Sequence, residues 1–490
     1  MDQKAKKSVD PKIKWYVLGF MCFSTLWGFG NVVNGFIYFN GVQVIFSWLL
    51  MFALYFLPYA FMVGELGSAF KDLGGGVTSW VQETSTKKIA YYAGWTYWAV
   101  HITYIASKGS GGLKALSWMI FQNGETYDSL PTLYVQLATL AAFLFFSWIT
   151  SRGLNPLKKL ATLAGSSMFV MSILYIVMMF AAPAINPGAS FVNIDWSLSN
   201  LIPTIDLKYL TNLSILVFAV GGIEKISPYV NKMDKNPARE FPKAMFFAAG
   251  MVVVCALFGS IAMGMMFDPA LINASSESFD SYLSNGAYWA FQRLGEYYGV
   301  GNLFMIIYAA CNMVGQFSTL VVSIDAPLRM LLEDPDASSF IPRALQKKNK
   351  YGAYINGIKM VVALSGTIIL VQIAVPGAAA VLRQLTKLNS IMMPLRYLWV
   401  FFAYMMLRKA TDKFTREYKF LKNNGVALFF GGWCFFVTLA CCLLGMVSDD
   451  PFQLALNIIT PLVLLGLGLI LPMIRRKEDE RLAAQGTATK

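Results

Sequence analysis

Long apolar segments recur along the whole chain of 490 residues. Each is about 20 residues or longer, which is the length an α-helix needs to cross the hydrocarbon core of a bilayer. Only 14% of the residues are charged, whereas soluble domains carry about 25%. The sequence therefore predicts an all-α integral membrane protein with twelve transmembrane helices, at roughly 15–38, 42–66, 91–118, 132–150, 160–183, 209–229, 244–266, 301–328, 355–374, 378–406, 424–446 and 453–474.

The basic residues lie on one side of this predicted arrangement. The net charge is +13, and 31 of the 40 Lys and Arg residues fall in the terminal segments and in the loops after every second span. Cytoplasmic loops of membrane proteins are enriched in Lys and Arg. We therefore expect both termini of this membrane protein to be cytoplasmic. The excess of positive charge therefore indicates how the chain is oriented in the lipid bilayer, and nucleic acid is not expected as a partner.

Two of the predicted spans contain glycines near their middle. The first reads Gly28-Phe29-Gly30-Asn31 and the second reads Phe218-Ala219-Val220-Gly221-Gly222. A helix that breaks inside the membrane frees backbone N–H and C=O groups, which are tolerated only beside protein or a wet cavity. Paired breaks in two halves of a chain are typical of a transporter's substrate site. The alternative is close helix packing through small residues.

The two breaks also divide the chain. Spans one to five, residues 15–183, and spans six to ten, residues 209–406, each begin with a broken helix. Because five is odd, the second unit enters from the opposite side, which predicts a 5+5 inverted repeat. The remaining segments are a cytoplasmic N-terminus (1–14), an outer loop (184–208), two further spans for packing or a dimer contact (407–474) and a charged tail expected to be disordered (475–490). Residues 184–208 and 267–300 are expected to form short helices over the outer mouth.

Three stretches resemble the amino acid–polyamine–organocation superfamily, and within it the bacterial glutamate/γ-aminobutyrate antiporter group. They are Pro58-Tyr59 with Gly64-Glu65-Leu66 and Gly74-Gly75, the broken helix 218–224 followed by Asn236-Pro237-Ala238-Arg239, and Ala326-Pro327-Leu328-Arg329. The resemblance implies the leucine-transporter fold with helices one and six broken. It also implies alternating-access exchange of amino acids, or of an amino acid for its amine. The family's usual Gly-Ser-Gly in the first span is replaced here by Gly28-Phe29-Gly30.

The breaks supply candidate substrate ligands. The half-helix after a break exposes N–H groups that suit an α-carboxylate, and the half-helix before it exposes C=O groups that suit an α-ammonium. Phe218 is a candidate gate over the substrate. Further candidates are polar or aromatic residues at mid-membrane depth, each of which could instead bond between helices. The complete predicted set is Gly28, Phe29, Gly30, Asn31, Tyr104, Phe218, Ala219, Gly221, Gly222, Asn312, Gln316 and Asn389.

Charged residues inside the predicted spans are candidates for gating or coupling. A charge at the membrane centre is costly, so it marks a functional site by default. Lys108 and Arg396 are expected either to face the substrate or to form structural ion pairs, with Glu65, Glu224 and Asp325 as available partners. Glu65 and Glu224 are themselves candidates for gating. Glu224 is expected to hold the unwound segment by accepting backbone N–H bonds.

These observations predict an amino acid transporter, acting as an exchanger, as a monomer or homodimer, with protons as a candidate coupling ion and no cofactor. Glutamate or aspartate is expected if Lys108 and Arg396 face the cavity, and a neutral amino acid equally well if they are paired. A sodium symporter would use Ser318, Thr319 and Ser323 as ligands, and a passive channel is a further alternative. A membrane enzyme is disfavoured because there is one histidine and the six cysteines lack metal-site spacing.

Overall fold

The computed structural model describes residues 12–374, 391–410, 412–448 and 450–488. Within these ranges the chain is helical, and β-structure is limited to two isolated bridges. The helices are α1 (Trp15–Leu26), α2 (Gly30–Tyr38), α3 (Val44–Met51), α4 (Leu57–Ala69), α5 (Val77–Thr84), α6 (Lys87–Phe121), α7 (Glu125–Asp128), α8 (Thr132–Thr150), α9 (Leu154–Ile185), α10 (Leu198–Leu201), α11 (Leu207–Val220), α12 (Pro237–Gly264), α13 (Pro269–Ile272), α14 (Ser276–Tyr297), α15 (Leu303–Leu332), α16 (Ile355–Ala374), α17 (Tyr397–Lys409), α18 (Asn424–Met446), α19 (Pro451–Leu467) and α20 (Ile470–Ala488).

Several helical segments, some of which combine consecutive helices of this series, are long and apolar enough to cross a membrane. The described part of the chain contains nine such segments, or ten if α1 and α2, which meet at an angle of 45°, count as one span. Helix α6 has 35 residues but is too polar to be counted among them. The tenth predicted span, 378–406, falls partly outside the described residues. The all-helical membrane architecture is therefore confirmed, and the number twelve stays a prediction.

The centre of the molecule is built from the broken helix and four long ones. Helix α6 packs along α15, and α1 packs against α9 and α12. The approach of α1 to α9 is close because Gly165 has no side chain: a Cβ there would lie 2.0 Å from the carbonyl oxygen of Phe20. This packing places the interruption between α1 and α2 inside protein, where its free backbone groups are tolerated.

The outer segment 267–300 contains a longer helix than expected. Helix α14 has 22 residues, and one of its faces lines the central cavity through Leu283, Ser284, Ala287 and Tyr288. The segment 184–208 contributes only the short helix α10. Residues 267–300 therefore contribute to the central cavity.

The tail is ordered as helix α20, so the prediction of disorder is wrong. Arg343 Nη2 contacts Asp479 Oδ1 at 3.0 Å, and Arg475 Nη1 donates to the carbonyl of Ile341 at 3.0 Å. Ion pairs at i,i+4 spacing within the helix, Arg475–Asp479 and Arg476–Glu480, support it further. Composition suggested disorder, but these pairs and the contact with the 337–343 segment favour a helix.

Candidate functional site

The main cavity lies where the two glycine-broken helices meet. It has a volume of about 410 Å³. Both interruptions contribute to its wall, Gly28 and Gly30 from the first and Gly221 from the second. The rest of the wall comes from α6, α9, α14, α15 and residues 393–397. A concave site of this size, with convergent polar groups, is the ordinary form of a small-molecule site.

The first interruption opens directly into the cavity. Helix α1 ends at Leu26 and α2 begins at Gly30, and a Cβ added at Gly28 or Gly30 would meet no atom within 4 Å. The first N–H groups of a helix have no partner within the helix and carry partial positive charge. Asn31 Nδ2 donates to the carbonyl of Ala219 at 3.3 Å, so the two broken segments are joined across the cavity.

The second interruption combines open backbone with tight packing. Helix α11 ends at Val220, and Gly222 has φ +112°, a left-handed conformation that side chains rarely adopt. A Cβ at Gly221 would lie 2.1 Å from Cε2 of Tyr397. Both explanations for the glycines therefore apply: Gly28 and Gly30 leave open space, whereas Gly221 allows close packing.

The structure brings most of the predicted site residues to this cavity. The lining includes Gly28, Gly30, Asn31, Tyr104, Lys108, Phe218, Ala219, Gly221, Asn312, Gln316 and Arg396. Four predicted residues, Phe29, Glu65, Gly222 and Glu224, do not line it. Asn389 lies outside the described residues.

Phe29 points away from the cavity, contrary to the prediction. Its ring lies 5.0 Å from that of Tyr175, 5.1 Å from that of Phe291 and 5.8 Å from that of Tyr308, measured between centroids. The side chain is 1% exposed. Phe29 therefore anchors the break in an aromatic cluster, and its missing hydroxyl does not alter the cavity wall.

Glu224 is held by side chains of other helices, not by the backbone N–H bonds that we expected. Tyr59 Oη donates to its Oε2, and Tyr97 Oη donates to Oε1 at 2.6 Å. Arg396 Nε lies 3.7 Å from Oε1. The carboxylate is fully buried. Glu224 therefore fastens the unwound segment after Gly222 to α4, α6 and the Arg396 region, through charge and hydroxyl donors.

Arg396 is oriented by a histidine that the sequence did not mark as functional. His101 Nδ1 lies 2.7 Å from the carbonyl of Tyr97, and Arg396 Nη1 lies 2.6 Å from His101 Nε2. A carbonyl only accepts and a guanidinium only donates, so His101 is neutral with its proton on Nδ1. The guanidinium also lies over the rings of Tyr97 and Tyr397, 4.6 and 5.1 Å from their centroids. Arg396 thus lines the cavity and forms an ion pair at the same time.

Lys108 lacks the structural ion pair considered as its alternative. Its Nζ lies 4.6 Å from the ring centroid of Tyr104, and no described carboxylate lies within 4 Å of it. The three proposed partners are engaged elsewhere: Glu224 with Arg396, Glu65 with Arg408, and Asp325 with Arg329. Lys108 is therefore a cavity cation without a protein counter-ion among the described residues.

Glu65 lies in a separate buried cluster away from the cavity. Its carboxylate accepts from Arg408 Nη2 at 2.6 Å, Arg416 Nη1 at 3.0 Å and the backbone N–H of Phe420 at 2.9 Å. Tyr404 Oη is a further donor at 3.4 Å. Glu65 thus fixes the 412–422 loop to α4.

The charged side chains that line the cavity all belong to basic residues. Its charged lining residues are Lys108, Lys114, Lys225 and Arg396, and no Asp or Glu belongs to the described lining. Lys225 was not among the site residues predicted from the sequence. Tyr288 and Tyr397 were missed as well, because an aromatic residue in an apolar span gives no signal of which way it faces.

Elsewhere in the described residues, no group of three or more His, Cys, Asp or Glu converges as a metal site, and the six cysteines are free.

Comparison with known proteins identifies the family. Residues 13–465 match the amino acid permease family. The chain is 49% identical to the aspartate/glutamate permease AcaP of Lactococcus lactis subsp. cremoris (strain MG1363), over 96% of both chains. It is 22% identical to the probable agmatine/putrescine antiporter AguD of Lactococcus lactis subsp. lactis (strain IL1403), over 79% of this chain and 78% of that relative. It is also 22% identical to the glutamate/gamma-aminobutyrate antiporter of the same strain, over 63% and 59%.

The matched region includes both broken helices and every described residue of the cavity wall. Family membership agrees with the all-helical fold and with the resemblance found in the sequence motifs. The chain belongs to the amino acid permease family, and it is a multi-pass membrane transporter of amino acids and not an enzyme.

Proposed function

We propose that this permease carries acidic amino acids, aspartate or glutamate, and that it works by exchange. The observation that carries the proposal is the charge of the cavity wall, which contains four cationic side chains and no described carboxylate. An acidic amino acid has two carboxylates and one ammonium, so its net charge of about −1 complements this wall. The printed substrate of the 49%-identical relative, aspartate/glutamate, supports the same class.

The two interruptions are proposed to hold the groups that all amino acids share. The α-carboxylate is assigned to the N-terminal end of α2 at Gly28 and Gly30, where the helix dipole favours an anion. The α-ammonium is assigned to the carbonyl end of α11 near Ala219. Phe218 lines the same region and is proposed as a gate, and Asn312 and Gln316 are proposed as polar contacts on α15.

Amines are poor substrates for a wall of this charge. A polyamine would bring further positive charge beside Lys108, Lys225 and Arg396, and like charges at short range repel. Exchange of an amino acid for a second amino acid therefore fits the cavity better than exchange for a diamine, despite the similarity to an agmatine/putrescine antiporter.

Sodium coupling is the alternative that the structure favours less. Of its three candidate ligands, Ser323 accepts a hydrogen bond from Lys225 Nζ at 3.2 Å, so that hydroxyl already has a cation. Thr319 donates to the carbonyl of Ser24 at 3.0 Å. We propose exchange without sodium, and uptake driven by an imposed pH gradient is the measurement that tests proton linkage.

The same proposal includes the arrangement in the membrane. We propose twelve spans, of which 15–183 and 209–406 form a 5+5 inverted repeat, with 184–208 outside, 407–474 as the extra pair of spans, and 1–14 and 475–490 in the cytoplasm of a bacterial inner membrane. In support, α1 with α2 and α11 with the 3-10 segment Ile223–Lys232 are both broken, and each lies at the start of its unit. Glu65 and Glu224 are proposed as gating contacts that must loosen during transport.

Counterflow into proteoliposomes tests the function. Vesicles preloaded with unlabelled aspartate are diluted into a trace of labelled aspartate, and twenty amino acids and common diamines are compared as internal substrates. We expect counterflow with aspartate or glutamate inside and little with lysine, putrescine or agmatine, in sodium-free buffer. A sodium requirement, or equal counterflow with neutral amino acids, would contradict the proposal.

A further inference from the structure

We infer that Lys108 and Lys225 form the subsite that receives the side-chain carboxylate of the substrate and so select acidic over neutral amino acids. This inference rests on the proposed function and assigns its specificity to two residues. Both ammonium groups lie against one ring, that of Tyr104: Lys108 Nζ is 4.6 Å and Lys225 Nζ is 5.2 Å from its centroid.

The four cavity cations differ in whether they already have a counter-ion. Lys114 Nζ lies 3.3 Å from Asp128 Oδ1, and Arg396 Nε lies 3.7 Å from Glu224 Oε1. Lys108 and Lys225 have no carboxylate within ion-pair distance among the described residues. The segment 375–390, which lies outside the described residues, contains no Asp or Glu in its sequence. Neither of these two lysines therefore has a carboxylate partner at ion-pair distance in the part of the chain that the structure describes.

Such a pair is costly without an anion. Lys225 is 2% exposed, and a buried charge without a partner loses most of its favourable solvation. The contacts that remain, the face of the Tyr104 ring and the hydroxyl of Ser323 at 3.2 Å, carry no negative charge. A cation–π contact is weaker than the solvation that a buried ammonium group loses, so it offsets only part of this cost. The missing component of the site is a carboxylate.

The position of the pair suits a side chain rather than the α-groups. Lys108 and Tyr104 belong to α6, the unbroken wall of the cavity, whereas the α-carboxylate and α-ammonium are assigned to the broken helices α1, α2 and α11. Lys225 lies three residues after Gly222, just beyond the second interruption. A substrate whose α-groups occupy the interruptions therefore directs its side chain toward Tyr104 of α6, and both ammonium groups lie against the ring of that residue.

The pair also explains why exchange is expected. With a neutral amino acid, or with no substrate, closure of the cavity would leave both ammonium groups dry and unpaired. With aspartate, the second carboxylate compensates them. Loaded and empty carriers thus differ in their ability to close, and neutral and acidic substrates differ for the same reason.

The test compares Lys108→Met and Lys225→Met with Lys359→Met. Lys359 is an exposed lysine of α16 that does not line the cavity, so its removal changes the net charge equally. In counterflow, unlabelled aspartate and its neutral isostere asparagine each compete with labelled aspartate, and the measured quantity is the ratio of their half-inhibitory concentrations. Thermal stabilisation of the purified protein by each ligand measures binding independently of transport.

We expect the Lys108 and Lys225 variants to lose this preference by roughly 10-fold to 100-fold, the value of a charge-assisted hydrogen bond. Asparagine binding should be retained, Lys359→Met should keep the wild-type ratio, and Lys108→Arg should restore most of the preference. A folded Lys108→Met variant with the wild-type ratio would overturn the subsite. If Lys108→Met, Lys108→Gln and Lys108→Arg all failed to fold, the role of Lys108 would be structural, and the subsite would be overturned as well. A wild-type protein that does not prefer aspartate would instead overturn the proposed function.

Discussion

Replacing Glu65 by glutamine should destabilise the protein and release its 412–422 loop. Glu65 is fully buried and compensates two buried arginines, Arg408 at 2.6 Å and Arg416 at 3.0 Å. Glutamine has nearly the same shape but no charge, and its NH2 group would face donors. Removing one partner of a buried ion pair costs about 3–5 kcal/mol, and the backbone N–H of Phe420 shares the same oxygen as Arg408. We expect a loss near the lower end of that range, since one amide oxygen still accepts.

Two measurements check this prediction. Thermal unfolding of the purified protein in detergent should show a lower midpoint. Limited trypsin digestion should be faster at Lys413, Lys419 and Lys422, because Glu65 holds the loop that contains them against α4.

The matched control is Glu417→Gln. Glu417 belongs to the same loop and contacts Arg239 at 2.8 Å and Lys71 at 3.7 Å, but its side chain is 36% exposed. Exposed ion pairs contribute little because water and salt screen them, so we expect no measurable change in either assay. Equal shifts for Glu65→Gln and Glu417→Gln would refute the argument from burial.

Three further predictions follow from the cavity. Gly30→Val should weaken substrate binding with little loss of thermal stability, because a Cβ there meets open space. Gly221→Ala should instead lower the unfolding temperature, because its Cβ would collide with Tyr397. A stable Gly221→Ala protein beside an unstable Gly30→Val protein with normal substrate affinity would contradict this. Glu224→Gln should lower the unfolding temperature by several degrees, as it strands the buried Arg396; an unchanged midpoint would count against the network. Liposomes preloaded with aspartate should take up labelled aspartate at least about tenfold faster than empty ones, and equal rates driven by an imposed pH gradient would indicate proton symport.

Much of the site could be found from the sequence because a glycine pair inside an apolar run is a local signal. A membrane-length helix with Gly28 and Gly30 near its middle must expose backbone groups, and those groups must face protein or water. The structure places both glycines on the cavity wall. The direction of a neighbouring side chain is not local in this sense. Phe29 lies between the two glycines in sequence, yet it packs in an aromatic cluster with Tyr175, Phe291 and Tyr308.

Charges inside the membrane were visible in the sequence, but their roles were not. Lys108 and Arg396 are equivalent when only the sequence is known, because each is a cation near the middle of a span. In the structure Arg396 has Glu224 and His101 as partners, whereas Lys108 contacts the face of Tyr104 and has no carboxylate partner among the described residues.

The sequence by itself therefore determined the class of protein, the position of the two helix interruptions and a set of candidate ligands, because hydropathy, glycine and charge act on each segment separately. Only the tertiary structure decided which cations are already paired and which face the cavity unpaired. That choice depends on distances between helices far apart in the chain, such as α6 and the segment after Gly222. These distances follow from how the helices pack, a property that no single segment contains.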